Sequence, residues 1–228
     1  MNSALKFSSL GDQVYTYLRR QMNHGDLLPG STINISEIAA QLGISKTPLR
    51  DALIHLELEG FVTILPRRGV RVNILQIEDV KNAYDAIGLA ESFIIKECID
   101  KISSTHIRKL EKLNKLMVSD IENQDFSRIF KTNLEFHNVY LDVSDNELLK
   151  KFIFPIKHRL YDFPRKNYIA EWEERNCREH EQFIEFVKQG NGEAAGKLLI
   201  DSHWSYEHQK HFIYSFYGVK EQIPSKGL

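Results

Sequence analysis

Four polar residues near position 48 have the types and spacing that contact DNA. Ser45, Lys46 and Thr47 open a predicted helix, and Arg50 follows one turn later. Free backbone N–H groups and the positive end of the helix dipole favour a phosphate at such a terminus. Lys46 or Arg50 can reach guanine O6 and N7 or a phosphate, and Thr47 can donate to a phosphate. The pattern therefore predicts a recognition helix that enters the major groove.

A second basic group lies 17 residues further along. Arg67, Arg68 and Gly69 form the tip of a predicted hairpin, where two guanidinium groups can reach a DNA backbone or the minor groove. Alone, the helix start is typical of a solvated cap, and the hairpin tip is typical of an exposed turn. Their combination, separated by a leucine-patterned helix, favours DNA binding.

The elements that must position these residues occupy residues 1–75. Three short helical patterns are separated by turn signals, and two short strands follow around a Pro-Arg-Arg-Gly turn. The helices are expected to begin at Ser9 with Asp12 as a capping partner, at Ser36, and after Ser45; the strands are expected at 61–65 and 70–73. This order of helix, helix, turn, helix and hairpin predicts a winged helix-turn-helix.

Residues 76–228 show an almost unbroken helical periodicity. The predicted helices cover about 78–100, 104–122, 126–143, 146–168, 171–189 and 192–215. About six helices joined by short loops form a compact antiparallel all-α bundle. The fold class is therefore mainly α, with a winged helix-turn-helix domain at 1–75 and a helical domain at 76–228.

Composition excludes several classes of protein. The 228 residues include 30 Lys plus Arg and 31 Asp plus Glu, for a net charge of −1, and 42% are hydrophobic, so the chain is neither disordered nor basic throughout. The net charge is +2 over residues 1–74 and −3 over the remainder. Cys98 and Cys177 form no disulfide framework. With no signal peptide pattern and no run of 18 apolar residues, a soluble cytoplasmic protein is expected.

The N-terminal region resembles the GntR family of bacterial transcription regulators. The resemblance rests on IAAQLGISKTPLRDALIHLELEG at residues 38–60 and on the PRRG turn at residues 66–69. It implies a DNA-binding role for Lys46, Thr47, Arg50 and for the wing residues Arg67, Arg68 and Gly69. Lys46 stands where the family usually has arginine, which keeps the charge but loses the planar fork that reads guanine.

In the helical region, Phe136-His137 is followed by SDNEL at 144–148, and Glu179-His180 is followed by Gly190-Asn191. The resemblance of these motifs is to the FCD ligand-binding domain of the FadR subfamily, in its shorter VanR-like variant. It implies a domain that binds a small effector and forms a homodimer.

The resemblance also implies a divalent metal site. The family positions for an aspartate and three histidines carry Asn133, His137, His180 and, by strict counting, Ser202, with His203 next to it. Each histidine continues an apolar stripe, so three imidazoles could converge on Zn or Ni. Asn133 offers only a neutral oxygen. In an α-helix, His203 would lie about 100° around the helix axis from Ser202, which occupies the family's ligand position. The alternatives are three hydrogen-bonded core histidines, or an effector cavity without metal.

The effector contacts are less defined. Where FCD domains often have an arginine that pairs with a ligand carboxylate, this sequence has Ile87. His158, Arg159 and Tyr161 could supply polar contacts to a carboxylate-bearing metabolite instead, or could be surface residues.

The resemblance implies a metabolite-responsive repressor that binds a palindromic operator as a homodimer and is not an enzyme. One rival is a metal-dependent hydrolase with an accessory winged helix, but residue 184 is Ile where an HExxH motif needs histidine. The other rival is a DNA-binding protein without an effector.

Overall fold

Residues 9–162 and 168–217 are described by a computed structural model of the chain. The chain divides into two compact units. The first comprises Met1–Gln76 together with His158–Lys166, and the second comprises Ile77–Lys157 together with Asn167–Leu228. None of the helices in the described part is long and apolar enough to cross a membrane.

The first unit has the element order of a winged helix-turn-helix. Its elements are α1 (Leu10–His24), β1 (Thr32–Ile33), α2 (Ile35–Leu42), α3 (Lys46–Leu58), β2 (Val62–Leu65) and β3 (Gly69–Val72). The strands form a sheet in the order β1-β3-β2, and both pairs are antiparallel. The two-residue strand β1 is absent from the sequence prediction, because two residues are too few to show an alternating pattern.

Helix starts are decided by side chains that accept from free backbone N–H groups. The capping box of Ser9 and Asp12 is confirmed at α1. The prediction of Ser36 as the cap of α2 is wrong. The helix begins one residue earlier, and the Oδ1 of Asn34 accepts from the amides of Ser36, at 3.1 Å, and Glu37, at 3.2 Å. Asparagine is as good an N-cap as serine, so the first helical turn starts at the earlier residue.

The second unit is all-helical. Its elements are α4 (Ile77–Cys98), a 3-10 turn (Ile99–Lys101), α5 (Ser104–Glu122), α6 (Phe126–Leu141), most of α7 (Glu147–Asp162), α8 (Ala170–Lys188), α9 (Gly192–Leu198), a π-helical turn (Leu199–His203) and α10 (Tyr206–Tyr217). The prediction of one last helix over 192–215 is wrong, since the π-helical turn and a break at residues 204–205 divide it. Residues 163–167, which end the helix predicted over 146–168, lie outside the described residues.

The two units have different cores. The first unit buries aliphatic and aromatic side chains from every helix and strand, including Leu18, Leu53 and Phe61. The second unit also buries charged and titratable groups, among them Glu91, His137, Lys157, Glu179, His180 and His203. Because ionisable residues are rarely buried unless paired, this polar cluster indicates a site rather than simple packing.

Candidate functional site

The start of α3 presents a cationic turn to solvent. Lys46, Thr47 and Arg50 are exposed, whereas Leu49 is fully buried and fixes the helix on the core. Ser45 occupies the N-cap position, and within the part of the chain that the structure describes its side chain makes no capping hydrogen bond. Its hydroxyl and the free N–H groups of the first turn can therefore donate to a phosphate.

The wing is a tight turn between β2 and β3. The carbonyl oxygen of Leu65 accepts from the amide of Arg68 at 3.0 Å, so Pro66 and Arg67 are the central residues of the turn. Arg67 has φ 60°, at the position where a turn with proline before it normally has glycine. An arginine in this left-handed conformation costs about 1–3 kcal/mol and is typical of functional sites.

Replacing Arg67 by glycine should separate folding from DNA binding. Glycine adopts φ 60° without steric cost, so the thermal midpoint of Arg67→Gly should equal or exceed that of the natural protein. Operator affinity should fall about three- to tenfold. The slope of log affinity against log salt concentration should become shallower by about one for each winged helix-turn-helix domain bound. Calorimetry and gel shifts at several salt concentrations measure both. A lower thermal midpoint would contradict the strain at Arg67, and an unchanged salt slope would contradict its contact with a phosphate.

The four cations of this surface are available for a ligand. Lys46, Arg50, Arg67 and Arg68 are all exposed. Across residues 9–162 and 168–217 no ion pair involves any of them. Unneutralised cations on a recognition helix and a wing give this face the electrostatic character of a DNA-binding surface.

The second unit brings three histidines together. His137 lies on α6, His180 on α8, and His203 ends the π-helical turn. Each offers one ring nitrogen, and these nitrogens lie within 4.8 Å of one another. The Nε2 atoms of His137 and His203 are 3.2 Å apart. All three side chains are buried, at 0%, 1% and 5% exposure, so the imidazoles predicted to converge do so inside the bundle.

Each imidazole is oriented by a hydrogen bond at its outer nitrogen. The Nδ1 atoms of His137 and His203 lie 2.9 Å from Glu91 Oε2 and Glu179 Oε2, respectively. Nδ1 of His180 lies 3.2 Å from the Oδ1 of Asn114. Carboxylate and amide oxygens accept, so each Nδ1 carries a proton, and in a neutral ring Nε2 is then the nitrogen with the lone pair. Metal-binding histidines have this arrangement.

Burial keeps the imidazoles of His137 and His180 in the form that binds metal. Burial lowers the pKa of His137 to about 4 and also lowers that of His180 well below its ordinary value. Phe136 stacks on His180 with ring centroids 3.8 Å apart and 15° between the planes. Neutral imidazole is the ligating form, so both residues can bind a cation at neutral pH without first losing a proton.

Glu91 is the centre of a buried network behind His137. Its Oε2 accepts from Tyr140 Oη at 2.6 Å and from Trp204 Nε1 at 2.8 Å, and its Oε1 pairs with the ammonium of Lys157. Glu91 and Lys157 are both 0% exposed. Burial opposes ionisation of Glu91, but His137 and Lys157 outweigh it and lower the pKa of the carboxyl group. The carboxylate is therefore charged and fully hydrogen-bonded.

The residues present fit a divalent metal. The Nε2 of His180 is buried, and within the described part of the chain it has no hydrogen-bond partner. The Nε2 atoms of His137 and His203 are 3.2 Å apart, a separation that two nitrogen ligands of one cation can have. Three nitrogen donors with no carboxylate among them suit Zn or Ni better than Mg or Ca.

The π-helical turn explains why His203, and not Ser202, joins the cluster. A π-helical turn contains one residue more than an α-helical turn, so it compensates for the one-residue displacement that strict α-helical counting predicts. Ser202 instead donates from its hydroxyl to the Oε1 of Glu179 at 3.2 Å. The displacement of about 100° would apply to a regular α-helix, which the chain does not form here.

The remaining predicted residues are placed as follows. Asn133 is buried one turn before His137 on α6, and Ile87 is fully buried on α4. His158 and Arg159 belong to the first unit, where Nδ1 of His158 lies 3.1 Å from an Nη of Arg19. The side chain of Tyr161 lies outside the described residues. The effector assignment of these last three residues stays a prediction.

Sequence reasoning missed the residues around the histidines. Glu91 and Lys157 stand at inward positions of apolar helical stripes, Glu91 one turn after Ile87 and Lys157 one turn after Ile153. A charged residue inside an apolar stripe is the signal that could have found them. Their pairing joins positions 66 residues apart, which periodicity cannot show.

Comparison with known proteins agrees with both units. Residues 10–72 match the family of bacterial regulatory proteins named gntR, and residues 82–203 match the FCD domain. The second match alone covers more than half of the chain. The chain belongs to the GntR family, in the group with an FCD domain. It is a transcriptional regulator whose helix-turn-helix head binds DNA; FCD domains bind small effectors, some of them with a metal.

Individual relatives are more distant. The HTH-type transcriptional regulator YdhC of Bacillus subtilis is 28% identical over 205 residues, which cover 88% of this chain and 91% of that protein. The HTH-type transcriptional repressor RspR of Escherichia coli is 25% identical over 139 residues, 61% of each chain. The solved structure of E. coli McbR/YncC is 20% identical, with a TM-score of 0.73 over 92% of this chain and 99% of that one, and shows the shared fold.

Proposed function

We propose that this GntR-family protein is a repressor of the bacterial cytoplasm that binds a palindromic operator as a homodimer. A small carboxylate-bearing metabolite, held at a divalent metal in the FCD domain, would modulate operator affinity. The observation that carries the proposal is the convergence of three inward Nε2 atoms, each imidazole oriented from outside by Glu91, Glu179 or Asn114. The name of the relative RspR supports a repressor.

The metal proposal assigns His137, His180 and His203 as ligands. Asn133, one turn before His137, would supply a neutral oxygen where the family has a carboxylate. When bound, a divalent ion in such a site gives a ligand carboxylate a positive partner, which matters here because Ile87 replaces the usual arginine. The protein's own contribution is to keep His137 and His180 neutral and to hold all three imidazoles oriented and shielded from water.

The proposal of a sensor is preferred to a hydrolase for a structural reason. A hydrolase needs a general base beside its metal. Glu181, which follows His180, is exposed on α8 and lines an open cleft of about 520 Å³, and Ile184 is buried where the second histidine of the motif would stand.

A second copy of the chain is the proposed partner of an apolar surface in the second unit, which we call the α4–α7 face. We assign to it Leu89 and Phe93 on α4 and Leu148 and Phe152 on α7, which are 64%, 50%, 81% and 56% exposed. Two heads are needed to read a palindrome, and an isologous dimer forms from one self-complementary surface. A contiguous exposed apolar surface is typical of a protein interface.

Replacing Leu148 by aspartate should convert the dimer to a monomer. The side chain is 81% exposed, so the fold of one subunit should be unaffected, while a charge within the proposed contact would be buried without a partner. Light scattering after gel filtration measures the mass. Leu58→Asp is the matched control, since Leu58 is 80% exposed but lies on α3. A Leu148→Asp protein that stays dimeric would exclude this face.

Selection of DNA from a random library tests the proposal as a whole. The selected sites should be palindromic, and a gel shift with the selected site should change when zinc is added or removed by a chelator and when carboxylic acids are added. A reporter with that site across its promoter should be expressed more strongly when the protein is absent. Recovery of no specific sequence would refute the DNA part, and operator affinity insensitive to metals and ligands would refute the sensor part.

A further inference from the structure

The helix α4 has two functional faces. Its inward face carries Glu91, which accepts from Nδ1 of His137 and pairs with Lys157. Leu89 and Phe93 lie two residues before and after Glu91, on the opposite side of the helix, and are exposed. A shift of Glu91 therefore moves the part of the α4–α7 face that is directly behind it.

The helix α7 is built in the same way. Lys157 and Ile153 point inward and are fully buried, whereas Phe152 and Leu148 are exposed on the other side. Lys150, two turns before Lys157, is also almost buried, but it pairs with Glu147 of its own helix at 2.5 Å. Lys157 is thus the lysine of α7 that reaches α4.

The pair of Glu91 and Lys157 connects the two helices of the α4–α7 face. Both side chains are 0% exposed, so water does not screen their attraction. The same carboxylate also accepts from His137, Tyr140 and Trp204. A change in the strength of the hydrogen bond from His137 must alter the attraction between the carboxylate and Lys157, because a single carboxylate accepts from all four donors.

We infer that Lys157 is a positioning residue that couples occupancy of the histidine cluster to the contact between subunits, through Glu91 and the helices α4 and α7. This inference rests on the proposed metal and the proposed dimer face. It assigns a role to a residue whose ammonium pairs with Glu91 and not with a proposed metal ligand.

The coupling has a physical direction. The Nδ1–H of an imidazole ligated at Nε2 is a stronger donor than that of a free imidazole, so ligation binds His137 more firmly to Glu91. With α6, α8 and the π-helical turn also held by the cluster, the Glu91 carboxylate and its partner Lys157 lose freedom of movement. An α4–α7 face fixed in advance associates more tightly, because less motion is lost on contact.

The experiment compares dimer dissociation constants with saturating zinc and with chelator, by analytical ultracentrifugation of the full-length protein. The natural protein should dimerise about fivefold more tightly with zinc. In Lys157→Gln the ratio should fall to about one, with zinc set well above that variant's own measured dissociation constant. Lys150→Gln, on the same helix but paired with Glu147, is the matched control and should keep the fivefold ratio.

Because a lone buried carboxylate can prevent folding, the double variant Glu91→Gln with Lys157→Gln is the second test, and it too should show a ratio near one. A ratio that stays fivefold in either folded variant, or a wild-type ratio below two, overturns the inference. If zinc does not bind the natural protein, or if the natural protein is monomeric, the proposed function itself is wrong. Either result also overturns the inference, which rests on it.

Discussion

His203→Gln should weaken zinc binding by at least about 100-fold, which corresponds to about 2.8 kcal/mol. Glutamine is long enough to keep a hydrogen bond to Glu179 and to fill the space, but it has no imidazole Nε2. The site would retain only His137 and His180 as nitrogen ligands. Competition with a chromophoric chelator measures the affinity, and the thermal midpoint without metal checks that the variant is folded.

Two further variants make this result specific. His208→Gln removes an exposed histidine of α10, five residues along the chain, and should leave zinc affinity unchanged. Ser202→His placed in the His203→Gln protein should not restore binding, since the π-helical turn directs residue 203 to the cluster. Rescue by Ser202→His would show that this segment is a regular α-helix. Unchanged zinc affinity in His203→Gln would remove His203 from the ligand set.

Arg50→Ala should weaken binding to the selected operator by at least about 30-fold, which corresponds to about 2 kcal/mol. One bidentate contact to guanine contributes about 1–3 kcal/mol of discrimination, and a dimer loses the contact in both heads. Arg50 is exposed and outside every described ion pair, so its removal should not change the thermal midpoint. Gel shifts with the selected site and with the site altered at one base pair give affinity and specificity together.

The pattern of loss distinguishes base recognition from contact with the backbone. If Arg50 reads a base, the variant should lose preference for that base pair, whereas a phosphate contact would reduce affinity equally for all sequences. Arg20→Ala, an exposed arginine of α1, is the control within the same unit and should have a small effect. Full operator affinity in Arg50→Ala would exclude α3 as the recognition helix.

Local signals in the sequence were enough to predict the winged helix-turn-helix. Turns at glycine and proline, the capping box of Ser9 and Asp12, and the leucine stripe of α3 are all short-range features. The errors also lie at short range: the cap of α2 was assigned to Ser36, and β1 has only two residues. Several neighbouring side chains can accept from the same free N–H groups, and only the folded backbone decides which of them caps the helix.

The sequence by itself also indicated that His137 and His180 face inward, because each continues an apolar stripe. It could not determine that Glu91, Glu179 and Asn114 would orient these rings, since those contacts join residues 24 to 66 positions apart. Nor could the sequence show the π-helical turn. One extra residue in a turn leaves no signature in the residue types, but it changes the direction in which the following side chains point. Residue types and periods are encoded locally, so they can be read from the sequence. Packing between helices decides that residue 203 supplies the third histidine, which groups contact it, and that Glu91 pairs with Lys157. Only the tertiary structure shows these three features.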